Sequence, residues 1–346
     1  MGLQNRSVQS KSAAPPHFAM LQLITGFWVS RAIYVAATLG LADLVKDGPK
    51  TADELARLTG THAPSLYRVL RALVGVGVFA GSEQGRFAQT PLSEILRSDT
   101  PGSLRAMAMA ELGQEHFPAW GNLMHSVKTG EIAFDNLFKQ SVWDYYARNP
   151  EDARNFNESM RGLTEMINAA VIGTYDFSAV NKIVDVAGGT GGLICAILGA
   201  HPRMRGVLFD MPHVIAEAEP LLDAVGVRGR CATAAGDFFE SVPEGGDVYV
   251  MKWIIHDWDD EKATSILKNI QRAMNEKGKL LLVEMVVPEG DQSDLSKLMD
   301  LEMMVMTGGR ERTEAEFSSL LAASGFELTR VIRTASPLCV IEAVRA

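Results

Sequence analysis

Cysteine is scarce in this chain. Three occur in 346 residues, Cys195, Cys231 and Cys339, far apart and with no Cys-x-x-Cys pair among them. An odd, scattered set excludes a disulfide framework and a zinc ribbon. Each cysteine falls in an apolar run and reads as a small buried hydrophobe of a reducing, cytoplasmic protein. Basic charge is also in deficit: 33 Lys and Arg face 42 Asp and Glu, a net −9. The balance is uneven, because residues 1–110 hold 11 basic and 7 acidic side chains, or +4, leaving −13 for the rest. An acidic body disfavours nucleic acid or an anionic membrane as the principal partner, while the mildly basic first third leaves a DNA-binding reading to be weighed. No long apolar run is unbroken either. Phe18–Val45 is interrupted by Gln22, Thr25, Ser30 and Arg31, and charge at that depth is costly in a lone membrane span. A helix over Phe18–Ala37 is expected instead to pack into a second subunit or an internal core. The opening MGLQNRSVQSKSAAPP is polar, lacks the pattern of a secretory signal and is expected to fray over residues 1–16. Gly2 alone is too little for a lipid anchor.

What is present is ordinary globular composition, 47% hydrophobic and 22% charged with 31 Gly and 14 Pro. That excludes a disordered, collagen-like or coiled-coil chain, and the length calls for two domains or one large one. Thr51-Ala-Asp-Glu54 is a capping box that opens a helix to about Thr59. A second helix, Pro64–Val74, follows with Leu66, Val69, Leu70 and Leu73 on one face. Val78-Phe79 and Arg86-Phe87 then read as arms of a small hairpin. Helix–turn–helix plus hairpin is a winged-helix pattern. A DNA reader would need a basic, polar recognition helix; here Arg68 and Arg71 sit among apolar residues, and Asp53 and Glu54 lie on the neighbouring helix. Packing or dimerisation is the expected use. Residues 101–175 read as helices rich in Met and aromatics, mostly core but suited to an apolar pocket for a flat ligand.

After Phe177 strands alternate with helices. The expected strands are Lys182–Ala187, Gly206–Asp210, Arg230–Ala234, Asp247–Ile254, Lys279–Val287, Phe326–Ile332 and Leu338–Val344, with helices such as Ala263–Met274 and Glu314–Ser324. Such alternation builds a doubly wound α/β sheet. The Arg333–Pro337 connection is too short for a crossover helix, so the last pair is antiparallel. This half resembles the class I S-adenosylmethionine methyltransferases, with a Rossmann-like seven-stranded sheet.

The chemistry-bearing motifs lie at strand ends. Asp185-Val-Ala-Gly188-Gly189-Thr190-Gly191-Gly192 opens a helix after the first strand, where glycines admit a ligand close to the backbone and helix N–H groups are free. Asp210, 21 residues past Gly189, can grip ribose hydroxyls. These two features alone fit a dinucleotide as well as S-adenosylmethionine. Ile194, however, stands where a dinucleotide fingerprint wants Gly or Ala. Gly236-Asp237-Phe238-Phe239 offers an acid for an adenine amino group and an aromatic cover, or a helix N-cap. Met251-Lys-Trp-Ile-Ile-His256-Asp257-Trp258-Asp-Asp260 leaves the fourth strand with a histidine that can act as general base. Glu284 ends the fifth strand and Glu311 precedes a late helix. One His with two carboxylates is a proton-abstraction site in outline.

Together DVAGGTGG, LFDMP, GDFF, KWIIHDWDD, LLLVE and TGGRERTEAEF resemble the S-adenosylmethionine-dependent small-molecule O-methyltransferases. That family includes the plant caffeic acid and flavonoid enzymes, hydroxyindole O-methyltransferase and bacterial natural-product relatives. The resemblance covers almost the whole chain. It implies a homodimerising winged-helix domain over 17–105, a helical linker over 106–176 that contributes to the pocket, and a catalytic domain over 177–346. It also implies that the helix around Phe27-Trp28 enters the partner's pocket. Gly188, Asp210, Asp237, Phe238 and Lys252 would contact the cofactor, S-adenosyl-L-methionine, and Trp258 resembles the family's adenine-side aromatic. His256 would be the base, flanked by Glu284 and Glu311. Phe156, Met160, Trp253, Met303 and Met306 would line the substrate pocket, with Trp120 and Met124 nearby.

A sulfonium methyl needs no metal. The enzyme must hold an acceptor oxygen in line at about 3 Å and take its proton, and a phenol of pKa about 10 is within reach of a histidine base. Asp257, Asp259 and Asp260 could suggest a divalent ion, as in catechol methyltransferases, but are expected to be solvated charge and a helix N-cap. Methylation of nitrogen or carbon on the same scaffold is the alternative chemistry.

Overall fold

The computed structural model describes residues 15–346, so the tail expected over 1–16 lies almost wholly outside the described residues. Two compact units divide between Leu112 and Gly113.

In the first unit the capping box forms as read. Thr51 Oγ1 accepts from Glu54 N and Glu54 accepts from Thr51 N, opening the helix Ala52–Thr59. The next helix, Ala63–Gly75, buries Leu66, Leu70 and Leu73 in a core with Leu41, Leu55, Phe79 and Phe87. The hairpin differs from expectation. Val78 and Phe79 are core residues, and the strand begins at Ala80. Arg86–Ala88 pairs with both Ala80–Gly81 and Lys50–Thr51, giving three short antiparallel strands. The first helix runs Pro16–Thr38, but only Ala36 and Ala37 are buried. Phe18, Leu21, Ile24, Phe27 and Trp28 are exposed within this chain. By length and composition this helix could cross a bilayer.

The second unit carries the sheet. Its strands are β1 (Lys182–Val186), β2 (Arg205–Asp210), β3 (Cys231–Ala235), β4 (Val248–Lys252), β5 (Lys279–Glu284), β6 (Phe326–Arg333) and β7 (Cys339–Arg345). They lie in the order β6-β7-β5-β4-β1-β2-β3, parallel except for β7, which runs against both neighbours. The central strands are apolar on both faces because helices cover both. Alternation divides them: Ile183, Leu281 and Val283 face a core with the helix Gly192–Ala200, while Val184, Leu280 and Leu282 face one with the helices Asp260–Ala273 and Glu314–Ala323. All three cysteines are free and buried.

One charge sits inside the antiparallel edge. Glu342 on β7 is 4% exposed and accepts from Tyr175 Oη, Thr329 Oγ1 (2.9 Å), Arg330 Nε and Nη2 (3.1 Å each) and Lys279 Nζ (3.0 Å). Burial alone would raise its pKa, but these donors outweigh it and hold the carboxyl down at about 2. A depressed carboxyl stabilises the fold above its ordinary value and loses that contribution as pH falls toward 2. Glu342→Gln should therefore cost about 1–3 kcal/mol at pH 7 and flatten the loss of stability on acidification. Urea unfolding of both proteins at pH 7 and pH 3 checks this.

Candidate active site

Four adjacent parallel strands, β3, β2, β1 and β4, present the expected cofactor residues side by side at their carboxyl ends. After β1 the chain turns sharply: Ala187 takes φ +57°, then Gly189 +60° and Gly191 +91°. A Cβ at Gly188 would lie 2.6 Å from Asp185 Cγ, so only glycine allows this approach. Asp210 at the end of β2 reaches across, its Oδ2 accepting from Gly189 N (2.8 Å) and its Oδ1 from Met211 N (2.7 Å). Asp237 follows β3 and accepts from Phe239 N at 2.8 Å. It closes a turn rather than capping a helix. Phe238 and Trp258 meet edge to face at 6.1 Å, and Phe239 and Trp258 at 5.0 Å, while Asn269 Nδ2 donates to the carbonyls of both phenylalanines. Lys252, at the end of β4, donates to Thr164 Oγ1 (2.9 Å) and Asn168 Oδ1 (3.1 Å). Burial draws Lys252 down to about 8 against the opposing charge of Asp185, whose own carboxyl burial raises to about 7. Asp185 Oδ2 has no hydrogen-bond partner among the described residues. A glycine cradle, a tethered carboxylate, an edge of aromatic rings and a half-buried lysine in the field of a buried aspartate fit a nucleoside with a charged amino-acid tail.

The His256 side is built where β4 and β5 end together. Trp253 takes φ +54°, a strained conformation for a bulky residue, and its ring lies parallel to the His256 ring at 6.5 Å. A short 3-10 turn over Ile255–Asp257 follows. Glu284 Oε1 holds its start, accepting from Ile254 N (3.1 Å) and Ile255 N (2.9 Å). His256 is buried, and its Nδ1 lies 2.8 Å from Glu311 Oε1. A carboxylate there accepts, so Nδ1 carries hydrogen and Nε2 is the basic nitrogen. Burial opposes charging of this ring. The negative charges of Glu284 and Asp257 and the hydrogen bond and charge of Glu311 win, raising it to about 10. Glu284 is itself pushed up to about 7 by burial, against the ring's charge and the two backbone donors.

The structure thus brings all three residues of the expected proton-abstraction site together, with different tasks. Glu311 touches the ring, whereas Glu284 holds the backbone that carries it. The three aspartates divide. Asp259 caps the helix Asp260–Ala273, accepting from Lys262 N at 2.8 Å, as expected. Asp257 is not solvated: its side chain is 15% exposed, 3.9 Å from His256 Nε2, and burial raises it to about 6. Asp260 pairs with Arg312 at 2.7 Å.

The expected pocket residues separate into two groups. Trp120, Phe156 and Met306 share one cluster with Phe134, Tyr146 and Val305, and Phe156 stacks on Tyr146 at 4.9 Å. Trp120 Nε1 donates to Glu302 of the helix Ser296–Met306, where Met303 and Met306 are buried. Met160 is half-buried one turn beyond Phe156 on the helix Pro150–Thr174. Trp253 packs instead against the sheet core. Met124 is 61% exposed and lines no part of this cluster. Sequence reasoning missed Thr164, Asn168 and Arg312, polar residues with no motif of their own. For Arg312 the only hint was its place in Gly308-Gly-Arg-Glu-Arg-Thr313.

A seven-stranded sheet with its last strand antiparallel and a cofactor edge of this kind define a class I methyltransferase. Residues 120–327 match the family model of the O-methyltransferase domain and residues 21–99 that of the O-methyltransferase dimerisation domain. The chain belongs to this family and is an S-adenosylmethionine-dependent methyltransferase. It is 48% identical to phenazine O-methyltransferase PhzM of Lysobacter antibioticus, over 96% of this chain and 97% of that one. It is 38% identical to the mitomycin biosynthesis 6-O-methyltransferase of Streptomyces lavendulae, over 94% and 93%. A phenazine-1-carboxylate N-methyltransferase of Pseudomonas aeruginosa is 32% identical over 94% and 97%. Among solved structures, LaPhzM superposes with a TM-score of 0.91 at 48% identity, covering 96% of this chain and all of that one. NcsB1 in complex with S-adenosylmethionine and 2-hydroxy-5-methyl naphthoic acid gives 0.81 at 33% identity, over 92% and 96%.

A ring raised by its neighbours should titrate far above the usual histidine range. The His256 imidazole, followed by NMR, is expected to hold its proton through pH 8, and Glu311→Gln should shift its titration downward. A transition near pH 6.5 in both proteins would contradict the arrangement described.

Proposed function

We propose that this protein methylates a phenolic hydroxyl of an aromatic small molecule, with His256 as general base and no metal ion. The observation that carries the reading is the 2.8 Å contact of His256 Nδ1 with the buried Glu311 carboxylate. S-adenosylmethionine supplies a methyl group already activated by its sulfonium, so the chain's own residues need only bind, orient and remove a proton. The glycines at 188–192, Asp210 and Asp237 would bind the nucleoside, with Phe238 and Trp258 against the adenine and Lys252 at the polar tail. Phe156, Met160, Met303, Met306 and Trp120 would hold the flat acceptor, with Trp253 beside the base. Nε2 of His256 takes the acceptor's proton, Glu311 fixes the tautomer and balances the imidazolium, and Glu284 keeps the turn in place. Burial of the ring strengthens each of these charge interactions.

A base near 10 matches a phenol of pKa about 10, so transfer between them is close to balanced. The same match makes the neutral ring scarce at pH 7, so kcat/KM should rise with pH well above 6.5. Support for oxygen as the acceptor atom comes from the base itself, since an O–H acceptor is the case that needs one. The 48% identity to a phenazine O-methyltransferase makes a hydroxylated phenazine the first acceptor to test. The exposed apolar face of the helix Pro16–Thr38, within the matched dimerisation domain, supports a homodimer as its burial partner.

Two measurements test these readings. His256→Ala should retain S-adenosylhomocysteine affinity and lose turnover by about 100-fold or more. Excess chelator should leave the native enzyme's rate unchanged. Turnover surviving His256→Ala would favour N- or C-methylation, and loss in chelator restored by magnesium would overturn the metal-free mechanism. In solution the protein should sediment as a dimer at micromolar concentration, and Phe27→Asp with Trp28→Asp should shift it toward monomer.

A further inference from the structure

Arg312 is the largest fully buried side chain among the described residues, at 1% exposure, and it lies one residue past the carboxylate that touches the base. A guanidinium carries five N–H donors, and each finds an acceptor here. Nη1 donates to the carbonyls of Ile255 (3.1 Å) and Arg310 (3.3 Å). Nη2 donates to the carbonyl of Trp258 (2.9 Å) and to Asp260 Oδ1 (2.7 Å), and Nε to the same Oδ1 (3.0 Å). The carbonyls of Ile255 and Trp258 bracket His256 on both sides. The turn is therefore gripped at its start and at its end by one planar group.

Other contacts draw the same two segments together. Arg310 N donates to the carbonyl of His256 itself at 2.8 Å, and a Cβ at Gly309 would overlap that oxygen. Arg312 is also in parallel register with Val286, two residues past Glu284. The carboxylate that fixes the ring, the one that holds the turn and the guanidinium thus belong to one interlocked unit. Asp260, the carboxylate that Arg312 hydrogen-bonds, has a side chain 61% exposed, and three of the five donors go to backbone carbonyls, those of Ile255, Trp258 and Arg310. A guanidinium committed in this way is costly to bury for stability alone.

We propose that Arg312 is a positioning residue that locks the His256 turn to the Trp258 segment, so that base and adenine-side aromatic are set as one piece. The inference rests on the base reading of His256 given above. Lysine has three donors from a single nitrogen and cannot reach both ends of the turn together with Asp260.

Arg312→Lys and Arg312→Gln are to be assayed beside His256→Ala, with folded fraction measured by thermal unfolding and rates taken well below the midpoint. The expected result for Arg312→Lys is a fall in kcat of about tenfold or more, since a displacement near 1 Å can cost about 100-fold. Acceptor KM should change less than twofold. The acid limb of kcat/KM should move by at least half a pH unit, and S-adenosylhomocysteine, titrated calorimetrically, should bind at least threefold more weakly. A wild-type kcat with an unmoved limb would overturn the proposal. So would a loss of rate equal at every pH and matched by loss of folded protein. Retained turnover in His256→Ala overturns the base reading and with it the claim on His256. An inactive His256→Ala beside a wild-type-like Arg312→Lys overturns the Arg312 proposal alone.

Discussion

The rest of the site depends on bringing a buried imidazole against a buried carboxylate 55 residues away in sequence. Burial alone would keep the ring neutral, since desolvation opposes its charged form. Together they are held, because two more carboxylates tip the ring toward its charged form. The fold supplies what this needs: two parallel strands, β4 and β5, ending side by side, and a return segment at 309–312 close enough for backbone contact. A doubly wound sheet offers this at its carboxyl edge, where successive loops converge.

Strain marks the same edge. Ala187 and Trp253, the residues that follow β1 and β4, adopt left-handed backbone angles without being glycine, and those strands are neighbours. Each turns the chain abruptly out of the sheet, one toward the glycine loop and one toward His256. Local strain of this kind persists only where surrounding contacts over-determine the conformation. Glu284 and Arg312 provide such contacts around His256.

Much of this was legible in the residues. The strand pattern, the antiparallel close and the Thr51 capping box follow from alternation, a short connection and a local hydrogen-bond code, all of which are near-neighbour properties. The hairpin arm at Val78-Phe79 misled because a β-branched and aromatic pair suits a core as well as a strand. Asp257 misled for a related reason: a run of acids reads as solvated, and only the packing around His256 shows that one of them is enclosed. Arg312 was invisible because its partners are mostly backbone carbonyls, which every residue possesses. Met124 carries the composition of a pocket residue, but the turn of its helix leaves it facing outward in the chain.

The position of β7 has a consequence for how the protein is made. The strand that ends in Glu284 has β7 as one of its two neighbours, and Cys339 lies opposite Glu284 itself. On the ribosome, the edge of β5 stays unpaired until residue 345 has cleared the exit tunnel. The first unit, with its capped helix Ala52–Thr59, ends at Leu112 and can form long before. The nascent chain therefore carries an open strand beside an incomplete sheet through the late part of synthesis. Any premature halt before 339 releases a sheet that lacks its keystone and exposes an apolar edge to other chains.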